Sequence, residues 1–136
     1  MPSRILVCDD EIHILRAVSM KLRKSGFSVE TCNNGEDGWN CALHFAPDAI
    51  VTDYQMPVLN GLELCQRVRA HETMRDIPVF LLTARGFELD HEEMKSRYLV
   101  SQVIVKPFSP RDLVSAIQKH LDQLDALRGP ADSPQT

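Results

Sequence analysis

No stretch of this chain approaches the about 20 consecutive apolar residues that a membrane-spanning helix requires. Its apolar runs are short, and Met1-Pro2-Ser3-Arg4 leads straight into the first of them. The chain is therefore expected to contact no membrane and to carry no secretory leader, which needs a longer apolar core and a small-residue cleavage site. An excess of positive charge is also missing. With 15 basic and 19 acidic residues the formal net charge is −4, which excludes a protein that holds nucleic acid by bulk cationic charge. Cysteine is sparse. Cys8, Cys32, Cys41 and Cys65 form no C-x-x-C pair and have no histidine at zinc-finger spacing, so they predict free thiols in a reducing, cytoplasmic setting. The five histidines are dispersed and suggest no shared chemistry. Internal repeats are absent, and 136 residues leave room for one domain.

What is present is an alternation. Arg4-Ile-Leu-Val-Cys8, Ala49-Ile-Val-Thr52, Val79-Phe-Leu-Leu82 and Val103-Ile-Val105 are short apolar runs, the mark of strands buried on both faces of a parallel sheet. Phe27-Ser-Val-Glu-Thr31 alternates instead and suits a strand near an edge. Between the runs lie helical spacings: Ile12, Leu15, Val18 and Leu22 before Gly26; Trp39, Ala42, Leu43 and Phe45 before Pro47; Leu62, Leu64, Cys65 and Val68 after Asn60-Gly61. An acid-rich stretch from Glu88 to Lys95 predicts a short exposed helix, and Leu113, Val114, Ile117, Leu121 and Leu124 follow Ser109-Pro110 on a last one. Five strand–helix pairs in this order predict an α/β fold with right-handed crossovers and helices on both faces of the sheet. After Leu124 the periodicity is lost, so residues 125–136 read as a flexible tail or the start of a linker.

In a doubly wound sheet the functional groups collect beyond the carboxyl ends of the strands. Here those ends carry Asp9-Asp10, Asp53, Thr83 and Lys106. Two like charges about 4 Å apart repel by roughly 4 kcal/mol at an effective dielectric of 20. Three carboxylates on one rim therefore need counter-charge. Lys106 supplies part of it, and a hard divalent ion with oxygen ligands, Mg²⁺ or Mn²⁺, would supply the rest. Such an ion keeps open positions for phosphate oxygens, and carboxylates form acyl phosphates, which makes Asp53 a candidate nucleophile. Asp9-Asp10-Glu11 stands where a flavin-binding fold has a hydroxyl- and glycine-rich phosphate loop. An aspartyl phosphatase of the haloacid dehalogenase type would need a second acid two residues after the nucleophile, where this chain has Gln55.

Four motifs in this order, Ile-Leu-Val-Cys-Asp-Asp-Glu (5–11), Asp-Tyr-Gln-Met-Pro-Val-Leu-Asn-Gly (53–61), Leu-Leu-Thr-Ala (81–84) and Lys-Pro-Phe (106–108), resemble the receiver domain of two-component response regulators, including its stand-alone, chemotaxis-regulator-like form. The resemblance covers residues 4–124, and residues 1–124 are assigned to the domain. It implies a flavodoxin-like (βα)5 fold with strand order 2-1-3-4-5. It implies Asp53 as phosphoacceptor, Asp10 as a direct Mg²⁺ ligand, Asp9 as a ligand through water, and the Gln55 backbone carbonyl as the third protein ligand. Thr83 then matches the switch hydroxyl, with small Ala84 leaving room for it, and Lys106 the lysine that pairs with a phosphoryl oxygen. The Lys106–Pro107 bond is expected to be cis. Arg85 and Gln55 stand where the family tunes dephosphorylation.

The implied partners are a sensor histidine kinase or histidine phosphotransfer protein as donor, and an effector docking on the fourth helix–fifth strand–fifth helix face. The implied role is that of a signalling module, with self-phosphorylation from phosphodonors and autodephosphorylation as its only expected chemistry. Two departures stand out. Val103 replaces the family's usual aromatic residue, and Ser101-Gln102 replaces the acidic pair of members that dimerise through that face. The residues after 124 cannot hold an output domain, so output is expected from another chain, or this sequence is a receiver cut from a longer regulator or hybrid kinase.

Overall fold

The computed structural model describes residues 2–84 and 90–128. Its elements follow the predicted alternation: β1 (Arg4–Cys8), α1 (Ile12–Lys24), β2 (Ser28–Cys32), α2 (Gly35–Phe45), β3 (Ala49–Asp53), α3 (Gly61–Ala70), β4 (Val79–Thr83), α4 (His91–Ser96), β5 (Gln102–Val105) and α5 (Pro110–Arg128). All strand pairs are parallel and the order is β2-β1-β3-β4-β5, the flavodoxin-like order.

The burial of each strand follows from its place. In β3 and β4 every residue is buried, because helices cover both faces. The two edges are β2, which buries only Val29 fully, and β5, which is half-buried with Val105 exposed. Alternate residues of the central strands feed two cores. One contains Leu6, Cys8, Ile50 and Leu81 under α2, α3 and Met94 of α4; the other contains Ile5, Val7, Val51, Phe80 and Leu82 under α1 and α5.

The helix starts are chemically built. Asn60 and Glu63 form a reciprocal capping box at α3, and the Asn34 side chain accepts from the Asp37 N–H at α2. Ser109 Oγ accepts from the Asp112 N–H at 3.3 Å ahead of Pro110, the start that Ser109-Pro110 predicts. α5 runs on to Arg128, past the last periodic leucine, Leu124, so the first residues of the expected tail are helical. The rest of that tail, residues 129–136, lies outside the described residues. Among the described residues no helix is long and apolar enough to cross a membrane.

Two close approaches position α2 and α3. A β-carbon on Gly38 would stand 2.6 Å from Cys8 Sγ, so the glycine lets α2 lie directly on β1. One on Gly61 would collide with the backbone oxygen of Asp53, so α3 begins against the strand end that carries that aspartate. A further clamp comes from Arg69 on α3. Its guanidinium donates to the carbonyls of Leu99 (3.1 and 2.8 Å), Arg75 (2.9 Å) and Ile77 (2.6 Å), tying α3 to the segments that enter β4 and β5.

Candidate functional site

Strand β1 ends at Cys8, and the chain turns out of the sheet at Asp9. Leaving the strand frees two adjacent aspartates from the alternation that would point them apart. Asp9 is wholly buried, held by its N–H to the Cys32 carbonyl (3.1 Å) and by its Oδ1, which accepts from the Glu11 N–H (2.9 Å). Asp10 is exposed and does not cap α1: the N-cap is Glu11, with no side-chain cap bond. Asp53 closes β3 and is buried, as is Thr83 at the end of β4. Lys106 follows β5, and its N–H donates to the Thr83 carbonyl at 2.8 Å. The Lys106–Pro107 bond is cis, as expected.

These groups meet. Carboxylate oxygens of Asp9, Asp10 and Asp53 lie within 4.8 Å of one another, the only such set of three or more metal-ligating side chains among the described residues. Lys106 Nζ reaches Asp9 Oδ2 at 3.1 Å, Glu11 Oε1 at 3.1 Å and Asp53 Oδ1 at 3.3 Å. Asp10, Glu11, Asp53, Tyr54, Gln55, Thr83, Ala84 and Lys106 line a cleft of about 180 Å³. A larger hollow of about 660 Å³ opens at the opposite end of the sheet, by Arg4, Pro47 and Asp76. It holds none of the strand-end groups.

The electrostatics show a site short of positive charge. Burial, then the charge of Asp9, pushes the Asp53 carboxyl up to about 7, and Lys106 only partly offsets them. Burial also raises Asp9, against the opposing Glu11 N–H bond and Lys106. For Lys106, burial works downward, but its hydrogen bond to Glu11 and the charges of Asp53 and Asp9 outweigh it and hold the ammonium above its ordinary range. Asp9 Oδ2 is buried, and the ammonium that pairs with it at 3.1 Å is shared with Glu11 and Asp53. A buried carboxylate with only a shared ammonium to neutralise it, beside two more carboxylates, is a donor set suited to a hard cation.

Of the residues singled out from the sequence, Asp9, Asp10, Asp53, Gln55, Thr83, Ala84 and Lys106 all come to this rim. Arg85, and Glu88 of the acid-rich stretch, lie outside the described residues. Ser101, read as a departure, serves the sheet instead, its hydroxyl accepting from the Val79 N–H at 3.0 Å where β4 begins. Glu11 closes the first of the four motifs, but no role is assigned to it from the sequence. It looks like an ordinary first helical acid, and only the fold shows that it shares Lys106.

A model of the response regulator receiver domain matches residues 5–118. Among curated proteins, the chain is 34% identical over 118 residues to the alkaline phosphatase synthesis transcriptional regulatory protein PhoP of Bacillus subtilis, covering 87% of this chain and 48% of that protein. It is 33% identical over 129 residues to the phosphate regulon transcriptional regulatory protein PhoB of Pseudomonas aeruginosa, covering 95% and 54%. The chain thus spans about half the length of the curated relatives it matches. Among solved structures, the chemotaxis response regulator CheY4 of Vibrio cholerae superposes with a TM-score of 0.79 at 29% identity, covering 88% of this chain and 98% of that one. The receiver domain of the sensor histidine kinase PA1611 from Pseudomonas aeruginosa, solved with a magnesium ion coordinated in its active-site cleft, gives 0.78 at 27% identity, covering 88% and 97%.

Proposed function

The chain belongs to the response regulator receiver domain family, and on that premise we propose that it takes a phosphoryl group from a histidine kinase or histidine phosphotransfer protein onto Asp53 and thereby changes its affinity for an effector. The observation that carries this reading is the three-carboxylate cluster at the strand ends, with one lysine spread over Asp9, Asp53 and Glu11. Mg²⁺, or Mn²⁺, held by Asp10, Asp53 and the Gln55 carbonyl, with Asp9 acting through water, would supply positive charge toward the phosphoryl oxygens. An Asp53 oxygen attacks the phosphorus, an O–P bond forms, the P–N bond of the donor breaks, and the imidazole leaves. Lys106, already beside Asp53, follows the new negative charge onto a phosphoryl oxygen. That movement takes it from Glu11 and Asp9. The Thr83 hydroxyl turns to the same phosphoryl group, and the small Ala84 leaves it space.

Lys106 and Thr83 sit at the ends of β5 and β4, linked by the Lys106 N–H to Thr83 carbonyl bond. A shift of either is therefore passed to β5 and its flanking helices, the α4–β5–α5 face that we assign to effector docking. Half-buried Val103 packs against the α2/α3 core there. With no aromatic ring at that position, the switch acts through the backbone and Thr83.

The test is treatment with acetyl phosphate or phosphoramidate in Mg²⁺, read by intact mass. One phosphoryl adduct is expected, lost in Asp53→Asn and without added Mg²⁺. An adduct that persists in Asp53→Asn refutes the assignment. A second reading, a receiver portion of a longer regulator or hybrid kinase, is favoured by the half-length coverage of the curated relatives; sequencing the full reading frame decides it.

A further inference from the structure

The Lys106 ammonium has three N–H donors and three carboxylates around it. The three acids differ in what becomes of them without it. The Asp9 side chain is wholly buried and that of Asp53 is only 8% exposed, whereas that of Glu11 is 52% exposed. A buried carboxylate that loses its ammonium is left uncompensated, while a half-exposed one is taken up by water. Glu11 is therefore the partner that Lys106 gives up at least cost.

Glu11 is nevertheless built to hold the lysine. Its N–H donates to Asp9 Oδ1 at 2.9 Å, and its carbonyl accepts from the Ile14 and Leu15 N–H groups at 3.1 and 3.0 Å. The backbone beneath the side chain is thus fixed between the acidic turn and the first turn of α1. The carboxylate itself does not cap that helix. It lines the cleft instead, where Oε1 accepts from Lys106 Nζ at 3.1 Å across 95 positions of sequence. Burial works against the charge on Lys106, and among the acids this bond does most to sustain it.

A phosphoryl group on Asp53 brings new anionic oxygens to an ammonium with no donor to spare. We propose that Glu11 is a positioning residue that competes with the phosphoryl group for Lys106, and so sets how strongly the site engages that group. The inference rests on Asp53 being the phosphoacceptor, and adds to that reading a residue that weakens the engagement. No covalent bond changes in this step. The ammonium exchanges one anionic acceptor for another, and water receives the released carboxylate.

The experiment titrates beryllofluoride, a tetrahedral phosphoryl mimic, into the full chain in Mg²⁺, followed by fluorine NMR. Mg²⁺ alone is titrated by calorimetry. Glu11→Gln removes the charge; Glu11→Asp keeps it on a side chain one methylene shorter. Each should bind beryllofluoride about three- to tenfold more tightly than wild type. Neither should bind Mg²⁺ alone more tightly. A general effect of surface charge would tighten only Glu11→Gln, and damage to the fold would weaken both ligands. The proposal is overturned if Glu11→Asp matches wild type, if Glu11→Gln shows no gain, or if Mg²⁺ affinity rises by the same factor. Beryllofluoride uptake that persists in Asp53→Asn, or no uptake by the wild type, would strike the reading of Asp53 itself, and this inference with it.

Discussion

Replacing the central aspartate with asparagine should stabilise the metal-free protein, and by an amount that grows with pH. The Asp53 carboxyl sits about 8% exposed against Asp9, and its proton is held up to about 7 against 3.8 for a free aspartate. A carboxyl whose folded value is raised binds its proton more tightly when folded. Below the unfolded value both states are protonated and nothing is lost. As pH rises through the interval between the two values, only the unfolded state gives up its proton freely, and folding is penalised. Each pH unit in that interval costs about 1.4 kcal/mol. The penalty on the wild type is then about 2 kcal/mol near about pH 5.5 and levels off at about 4 kcal/mol by about pH 8. Asp9 shares the proton, so these figures belong to the pair. The substituted amide has no charge to suppress. Urea denaturation in EDTA should therefore show Asp53→Asn more stable than wild type at both values, with the margin widening by about 2 kcal/mol between them. Millimolar Mg²⁺ should shrink the margin by stabilising the wild type alone. A margin independent of pH, or a wild type more stable than the variant at about pH 8, would refute the account of charge crowding.

Arg69→Ala should cost roughly 2–4 kcal/mol in the same denaturation assay, because three carbonyls lose a charged donor at once. Arg69→Lys should recover little of it, since an ammonium cannot fork between them. Gly38→Ala should destabilise by about 1–3 kcal/mol despite alanine's better helix propensity, and adding Cys8→Ala should return most of the loss by removing the sulfur 2.6 Å from the new β-carbon. Glu11→Gln takes away one of the three acids around Lys106. The Asp53 carboxyl, followed by carbon NMR through a pH titration, should then move down from about 7; no movement would mean that Glu11 does not compete for the lysine.

The repeating order of apolar run and helical face made the five-fold alternation legible, and the acids, hydroxyl and lysine at the close of four of the runs made the rim legible with it. Both are periodic or positional signals. Asp9, Asp10, Asp53, Thr83 and Lys106 could be grouped because parallel strands bring their carboxyl ends to one side. Other features have no such signal. Arg69 is one more basic residue on a helix until the segments before β4 and β5 fold beneath it. Gly38 resembles a weak helix position, and its reason is a sulfur on a strand 30 residues earlier. Cys8 and Cys32 look scattered because they meet only through the register of β1 and β2 rather than at any metal-binding period. The half-burial of β5 was hidden for a related cause: an apolar run of three residues does not say whether a further strand stands beyond it.

The order of the strands also sets an order in time. Asp9, Asp10 and Asp53 leave the ribosome long before Lys106, and β4 must lie between β3 and β5 before the ammonium can reach them. A nascent chain that has paired only β1, β2 and β3 carries the crowded carboxylates without their counter-charge. Its acidic rim is then least tolerable near neutral pH and eased by protons or divalent cations. The last strand to be made is an edge of the sheet and adds little apolar burial, yet it delivers the one ammonium that contacts both Asp9 and Asp53 among the described residues. In the finished fold, the pairing of β5 with β4 and the arrival of the ammonium at the acids are one and the same arrangement.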